Sequence, residues 1–191
     1  MNIMILSPYP QNICKTVYEA GDKYFLFNNS LNLDILREKE INFIVSYGYD
    51  KIIKKEITEK FKNRIINLHI SFLPFNRGAH PNLWSHIENT KNGVTIHKID
   101  EGIDTGEIIC RKEIFIDKKK HSFRSSYEIL RKEIEKLFKE NWVNIKSNNY
   151  KIILDASKGS FHKKSEGLYL LSKFKFDWDS NIEEAISKIE I

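Results

Sequence analysis

The sequence predicts an α/β fold: a mostly parallel sheet flanked by helices. Two observations carry this expectation. Short β-branched or aromatic runs recur at Asn2–Ser7, Lys23–Asn28, Ile41–Gly48 and Ile65–Ser71, each the size of a strand buried on both faces. Between them, Leu33–Lys39 and Ile53–Phe61 place apolar residues at helical spacing, with Lys and Glu at the remaining positions. Strands alternating with helices imply parallel pairing through right-handed crossovers. Ligands of such sheets collect beyond the carboxyl ends of the strands.

The pattern changes after the fourth strand. Pro74 and Pro81 bracket Phe75–His80, a segment that can be neither regular helix nor central strand. Val94–Ile99 alternates as a strand, Asp100–Gly106 is a glycine-punctuated loop, and Ile108–Ile116 reads as a second strand, so the pair forms a hairpin-like extension. A helix over about Ser125–Ile145 follows, with Tyr127, Leu130, Ile134, Leu137, Phe138, Trp142 and Ile145 on one core-facing stripe. Pro8–Asp22 leaves room for at most a short helix, Gly159–Gly167 reads as a basic polar loop, and Ile182, Ala185, Ile186 and Ile189 suggest a short terminal helix. The expected organisation is one main domain over 1–150 and a short C-terminal appendage, 151–191, packing on it.

Composition bounds the function. The 191 residues carry 31 Lys+Arg against 26 Asp+Glu, a net charge of +5, with 41% hydrophobic residues. Such a length suffices for one domain with a real core. The apolar runs span only a few residues, whereas a membrane-crossing helix needs about 20. Met1–Ser7 has no cationic region and too short an apolar run for a secretory signal, so a cytoplasmic protein with no membrane partner is expected. Two distant cysteines, Cys14 and Cys110, exclude a disulfide framework and a Cys-rich zinc site; both read as small buried hydrophobes. The positive balance suits anionic ligands but cannot separate a nucleic-acid binder from an enzyme with a phosphorylated substrate.

The chemistry concentrates between Asn67 and Gly106. Residues i and i+2 of a strand share a side, so the Asn67 carboxamide and the His69 imidazole face the same way. An amide donor aimed at a developing oxyanion, beside an imidazole that exchanges a proton near neutral pH, equips a site for acyl transfer. The nearest carboxylates by sequence are Asp100, Glu101 and Asp104. Taken alone, Asn-x-His also describes a structural pair, and Asp104-Thr105-Gly106 also describes a turn.

Four linked segments resemble the core of the folate-dependent formyltransferases: Asn67–Pro74, Asn76–Ala79, Gly93–Ile96 and Asp100–Gly106. Their order over about forty residues is more specific than any one alone. His80–Ser85, the helix from Ser126 to Trp142, and Gly159–Lys164 are similar to the nucleotide-linked amino-sugar N-formyltransferases of the dTDP-amino-dideoxyhexose type, which serve surface polysaccharide and lipopolysaccharide synthesis. The tRNA branch carries an extra C-terminal domain for which this length has no room. The purine branch carries a glycine-rich loop where Ser7–Asn12 holds two prolines. The resemblance implies a Rossmann-like formyltransferase fold.

It also implies roles. A formyl group would pass from 10-formyltetrahydrofolate to a sugar amine, with no metal. His69 would be the general base, Asn67 the oxyanion donor, and Asp104 the carboxylate orienting His69. The reduced folate would lie between Tyr47, Gly48, Tyr49 and Asp50 on one side and Asp100, Glu101, Gly102 and Ile103 on the other, held largely by backbone groups. Asn76, Arg77, Gly78, His80, Pro81 and Asn82 would meet the nucleotide-linked sugar. His86 and His97 read as surface or structural histidines, Lys163 and Lys164 as a solvated basic loop, and Trp84, Trp142 and Trp178 as packing residues. By analogy the resemblance allows a homodimer. The rival readings are a formyltransferase acting on another small amine, as in the purine pathway, and a basic nucleic-acid-binding module. The second would gather its cations on one face, whereas Lys is spread along this chain and offset by Glu.

Overall fold

A computed structural model describes residues 1–189. The last two residues of the expected appendage, 190 and 191, lie outside it. Chain compactness divides the molecule into two units. The first comprises 1–69, 96–110 and 135–154, and the second 70–95, 111–134 and 155–191. Both are assembled from discontinuous segments. Residues 151–154 group with the first unit, and 155–189 with the second.

In the first unit the strands β1 (Asn2–Leu6), β2 (Lys23–Leu26), β3 (Phe43–Tyr47) and β4 (Ile65–His69) are joined by helices α1 (Gln11–Glu19), α2 (Leu33–Glu38) and α3 (Lys55–Lys60). The strands pair in parallel, Ile3 opposite Phe43, Met4 opposite Ile44, and Ser46 opposite Asn67. β6 (Gly93–Lys98) and β7 (Ile108–Glu113) complete a mixed sheet of order β2-β1-β3-β4-β6-β7. The Lys98 amide donates to the Glu107 carbonyl at 2.9 Å, closing the neck of the hairpin.

The pleat sorts the core. Met4, Leu6, Ile44 and Ile65 face Leu36 of α2 and Ile57 of α3 in one buried cluster. Phe43, one residue from Ile44, lies on the opposite face and meets Trp142 edge to face at 5.2 Å. Trp142 comes from α5 (Phe123–Lys146) and is fully buried, its indole N–H donating to Asp22 at 3.2 Å. Each fully buried side chain of this size contributes roughly 1.5–3 kcal/mol or more. Every residue of β3 is buried, as a central parallel strand requires, whereas edge strand β2 exposes Lys23, Tyr24 and Leu26. α2 starts where Asn32 accepts from the amides of Asp34 and Ile35, a side-chain cap. α1 has no such cap and no acidic first turn, which is why only its apolar Ile13, Cys14 and Val17 betray it.

The second unit holds α4 (Pro81–Ile87), the first half of α5, α6 (Lys164–Phe174), α7 (Ile182–Ile186) and a two-stranded parallel sheet of β5 (Arg77–Gly78) and β8 (Phe161–His162). The segment read as a basic loop, 159–167, is thus corrected: β8 interrupts it, and α6 begins at Lys164. Gly78 has φ +88°, and a Cβ there would stand 2.4 Å from the His162 carbonyl, so β5 and β8 approach this closely only through glycine. The His162 ring stacks on Trp84 at 3.9 Å. α4, which no periodicity announced, opens with Pro81 at its first turn, where a missing N–H costs nothing.

Candidate active site

Asn67 and His69 continue the face of β4 that Ile65 begins, so the hydrophobic core lies beneath them and they emerge at the carboxyl end of the strand. The loop after β6 reaches back over that end. Asn67 Nδ2 donates to Asp104 Oδ1 at 3.1 Å, and His69 Nδ1 stands 3.7 Å from Asp104 Oδ2. The three residues that the resemblance singled out are therefore brought together. His69 is buried and the Asp104 side chain nearly so, which strengthens the electrostatic interaction among them.

The loop geometry explains how Asp104 arrives. Asp100 Oδ1 accepts from the Gly102 amide at 3.0 Å and the Thr105 hydroxyl at 2.6 Å, pinning the loop on itself. Asp104 takes φ +54°, a left-handed conformation that Asp tolerates better than most residues. At the neck, a Cβ on Gly106 would sit 1.9 Å from the Lys98 carbonyl oxygen, so only glycine closes this turn. Glu101 pairs with Lys55 at 2.7 Å on the surface.

A fourth residue completes the cluster. His97, read from sequence as structural or superficial, is 2% exposed, with Nε2 3.3 Å from Asn67 Nδ2 and 3.4 Å from Asp104 Oδ1. Its Nδ1 donates to the Lys98 carbonyl at 2.7 Å. Its ring lies 6.1 Å from that of His69, edge to face. Only the adjacency of β6 and β4 reveals it, and no local signal encodes that pairing.

Tyr47, Gly48, Tyr49 and Asp50 follow β3, and the register sets Tyr47 beside Leu68, one residue before His69. β3 runs parallel to β4, so the loop that leaves β3 lies at the reacting end; the Ile99 amide donates to the Ile65 carbonyl at 3.1 Å, at the opposite end of β4, and the loop that follows turns back to bring Asp104 to Asn67. Tyr47 and Tyr49 spend their hydroxyls internally, on Glu135 at 3.2 Å and on the Asn29 carbonyl at 2.6 Å; Asn12 also donates to Glu135, at 2.6 Å. Burial pushes the Tyr49 phenol up. Gly48, at φ +67°, is exposed, and a Cβ added there would stand 3.5 Å from Tyr9 and 3.6 Å from Pro8, ordinary contact distances. Asp50 and Gly102 are exposed, and Ile103 presents an apolar side chain that is 57% exposed. The exposed apolar side chain of Ile103 offers a flat heterocycle such as a pterin a surface to lie on.

The remaining expected binding residues lie in the second unit. Asn76 is buried, donating to Glu88 at 3.0 Å and accepting from Thr90 at 2.8 Å. Asn82 is buried, donating to the Phe123 carbonyl at 2.8 Å and accepting from Ser126 at 3.0 Å. Pro81 is buried within α4. These three brace the fold, while Arg77, Gly78 and His80 keep partial exposure. His80, at φ +55°, packs on Trp178 at 5.3 Å, and burial holds its pKa down. Burial also raises both thiols, Cys110 to about 12, so neither cysteine is a nucleophile. Among the described residues no group of His, Cys, Asp and Glu is arranged to hold a metal, and no helix is long and apolar enough to cross a membrane.

A family model described as Formyl transferase matches residues 15–140. Over its full length the chain is similar to the formyltransferase PseJ from Anoxybacillus kamchatkensis, solved with UDP-4,6-dideoxy-4-formamido-L-AltNAc and tetrahydrofolate: 39% identity, all of each chain covered, TM-score 0.87. A sugar N-formyltransferase from Shewanella sp. FDAARGOS_354, at 22% identity, shares the fold over 98% of this chain and 87% of its own, with TM-score 0.77. Among curated proteins, the methionyl-tRNA formyltransferase of Prochlorococcus marinus (strain MIT 9515) is 32% identical over 98% of this chain. The chain spans 58% of that relative, and 29% and 32% of those from Finegoldia magna and Thermodesulfovibrio yellowstonii.

Proposed function

The chain belongs to the formyl transferase family, and on that premise we propose that it transfers the formyl group of 10-formyltetrahydrofolate to the amine of a nucleotide-linked amino-deoxy sugar. The observation that carries formyl transfer is the convergence of Asn67, His69 and Asp104 at the carboxyl end of β4. The full-length likeness to PseJ, whose structure holds a UDP-linked formamido sugar, supports a UDP-linked 4-amino-4,6-dideoxy sugar ahead of the dTDP-linked type.

The folate supplies an activated formyl group and a nitrogen, N10, that can leave. His69 takes one proton from the sugar ammonium, freeing the lone pair that attacks the formyl carbon. Asn67 donates to the formyl oxygen as negative charge builds on it, a contribution of roughly 10² to 10³ in rate. Asp104 orients the His69 ring and stabilises its cation. As the C–N10 bond breaks, the attacking nitrogen gives up a further proton and N10 takes one, so a formamide and tetrahydrofolate leave with charge balanced. The main chain of Gly48, Tyr49, Asp50, Glu101, Gly102 and Ile103 would hold the pterin. Arg77, Gly78 and His80 would serve the nucleotide sugar, with Asn76, Pro81 and Asn82 acting as their scaffold.

The test mixes the protein with 10-formyltetrahydrofolate and a panel of UDP- and dTDP-linked 3- and 4-amino sugars, glycinamide ribonucleotide and methionyl-tRNA, and weighs the products by mass spectrometry. A sugar heavier by one formyl group is the expected result. Release of tetrahydrofolate only with methionyl-tRNA, to which the curated relatives point, would overturn the sugar assignment.

A further inference from the structure

We propose that Glu88 is a positioning residue for the nucleotide sugar: through Ser160 and Asn76 its carboxylate holds the Arg77 guanidinium ready to meet a diphosphate. This rests on the nucleotide-sugar reading above. Glu88 is the residue that ends α4, and its side chain is 30% exposed. Its Oε2 accepts from Asn76 Nδ2 at 3.0 Å and from the Ser160 hydroxyl at 2.9 Å, while Oε1 stands 3.0 Å from His162 Nε2. One carboxylate thus gathers the segment that becomes β5 and the segment that becomes β8.

Each of these partners passes the constraint on to Arg77. The Ser160 hydroxyl, while donating to Glu88, accepts from the Asn76 amide at 2.9 Å. The Ser160 carbonyl accepts from the Arg77 amide at 3.0 Å and from Arg77 Nε at 3.4 Å. Backbone and side chain of Arg77 therefore both rest on a residue that Glu88 fixes. On the other side, Asn76 is 0% exposed at φ +56°, a left-handed conformation kept by Nδ2 on Glu88 and by Oδ1 accepting from Thr90 at 2.8 Å. With Nε engaged, both Nη groups of Arg77 are without a partner among the described residues, and the side chain keeps partial exposure. A planar fork of N–H donors on a delocalised cation matches phosphate oxygens. A fork already held in place loses less freedom on binding than a mobile one.

The test is steady-state kinetics on the full chain, varying the UDP-linked amino sugar and 10-formyltetrahydrofolate separately, together with calorimetric titration by UDP alone. Arg77→Ala should raise KM for the nucleotide sugar roughly 10- to 100-fold, the worth of a charge-assisted contact. Glu88→Ala should raise it about tenfold, with kcat and KM for folate within about twofold, and should add less than about twofold in an Arg77→Ala background. Glu88→Gln still offers an oxygen to Asn76 and Ser160, so its KM should stay within about threefold of the wild type. Ser160→Ala removes only the hydroxyl link and should move KM in the same direction, which keeps the test open where Glu88→Ala fails to fold. Effects of Glu88 and Arg77 that multiply, or a loss of kcat that follows a lowered Tm with no selective change in KM for the sugar, would mark a mere brace and overturn the proposal. Should no sugar amine be formylated, the proposed function fails and the UDP titration decides instead. Weaker binding by Arg77→Ala and Glu88→Ala, but not by Glu88→Gln, supports the positioning role; equal binding by all, or none by the wild type, overturns it.

Discussion

His86 offers a sharp test of the second unit's energetics. It lies in α4, 0% exposed, with neither ring nitrogen hydrogen-bonded; Phe123 packs on it edge to face at 6.1 Å, and Lys118 donates only to its backbone carbonyl. Burial, reinforced by the charges of Lys118 and His121, lowers its pKa from 6.5 to about 4. The unfolded chain therefore binds a proton below pH 6.5 that the native state refuses until about pH 4, and stability falls as pH drops through that window. Integrated from about pH 7 to 5, this single group costs about 2 kcal/mol. Urea denaturation of the wild type at the two pH values measures the loss. His86→Leu removes the titration and two unsatisfied nitrogens while roughly preserving volume, so over that range it should lose about 2 kcal/mol less than the wild type, and at neutral pH its stability should equal or exceed that of the wild type by about 1 kcal/mol. A wild type and a Leu variant that lose equal stability between the two pH values would refute the reasoning.

Asp104→Asn should fold normally but lose roughly 10² to 10⁴ in turnover, read from formyl transfer alongside circular dichroism. Gly106→Ala forces a Cβ to within 1.9 Å of the Lys98 carbonyl, so it should displace the Asp104 loop and abolish turnover even where a melting curve still shows a folded core. Asp22 meets the N-terminal ammonium at 2.8 Å and Lys146 at 2.6 Å. Burial alone would raise its pKa, but these two cations hold it below the usual carboxylate value. Asp22→Asn should therefore cost about 3 kcal/mol at neutral pH, and the wild-type contribution should be lost as pH falls below the usual carboxylate value and through that lowered pKa, beneath the His86 window.

The elements legible in the sequence were those whose burial imposes a period. β3 and β4 show as short runs rich in apolar and β-branched residues because both faces are covered, and α5 shows its stripe because one face recurs as apolar along 24 residues. The obscure elements lacked that imprint. α4 and α6 are short or weakly patterned, and β5 and β8 consist of two residues each, held by a glycine's close approach rather than by propensity. The segment 76–82 was legible as unusual, yet its asparagines proved to be internal braces. An Asn suited to a ligand and an Asn suited to a buried turn look alike until their partners are known.

By itself, the sequence determined that Asn67 and His69 share one face at the end of a buried strand, because side chains alternate with a period of two whatever else the chain does. It also determined that a glycine-punctuated loop with three acids follows a later strand. Tertiary structure alone decided which of those acids reaches the histidine, that His97 joins it, and that the chain divides into two interleaved units. Which strands become neighbours depends on contacts far apart in the chain, and Asp104 and His97 reach Asn67 only because β6 lies beside β4.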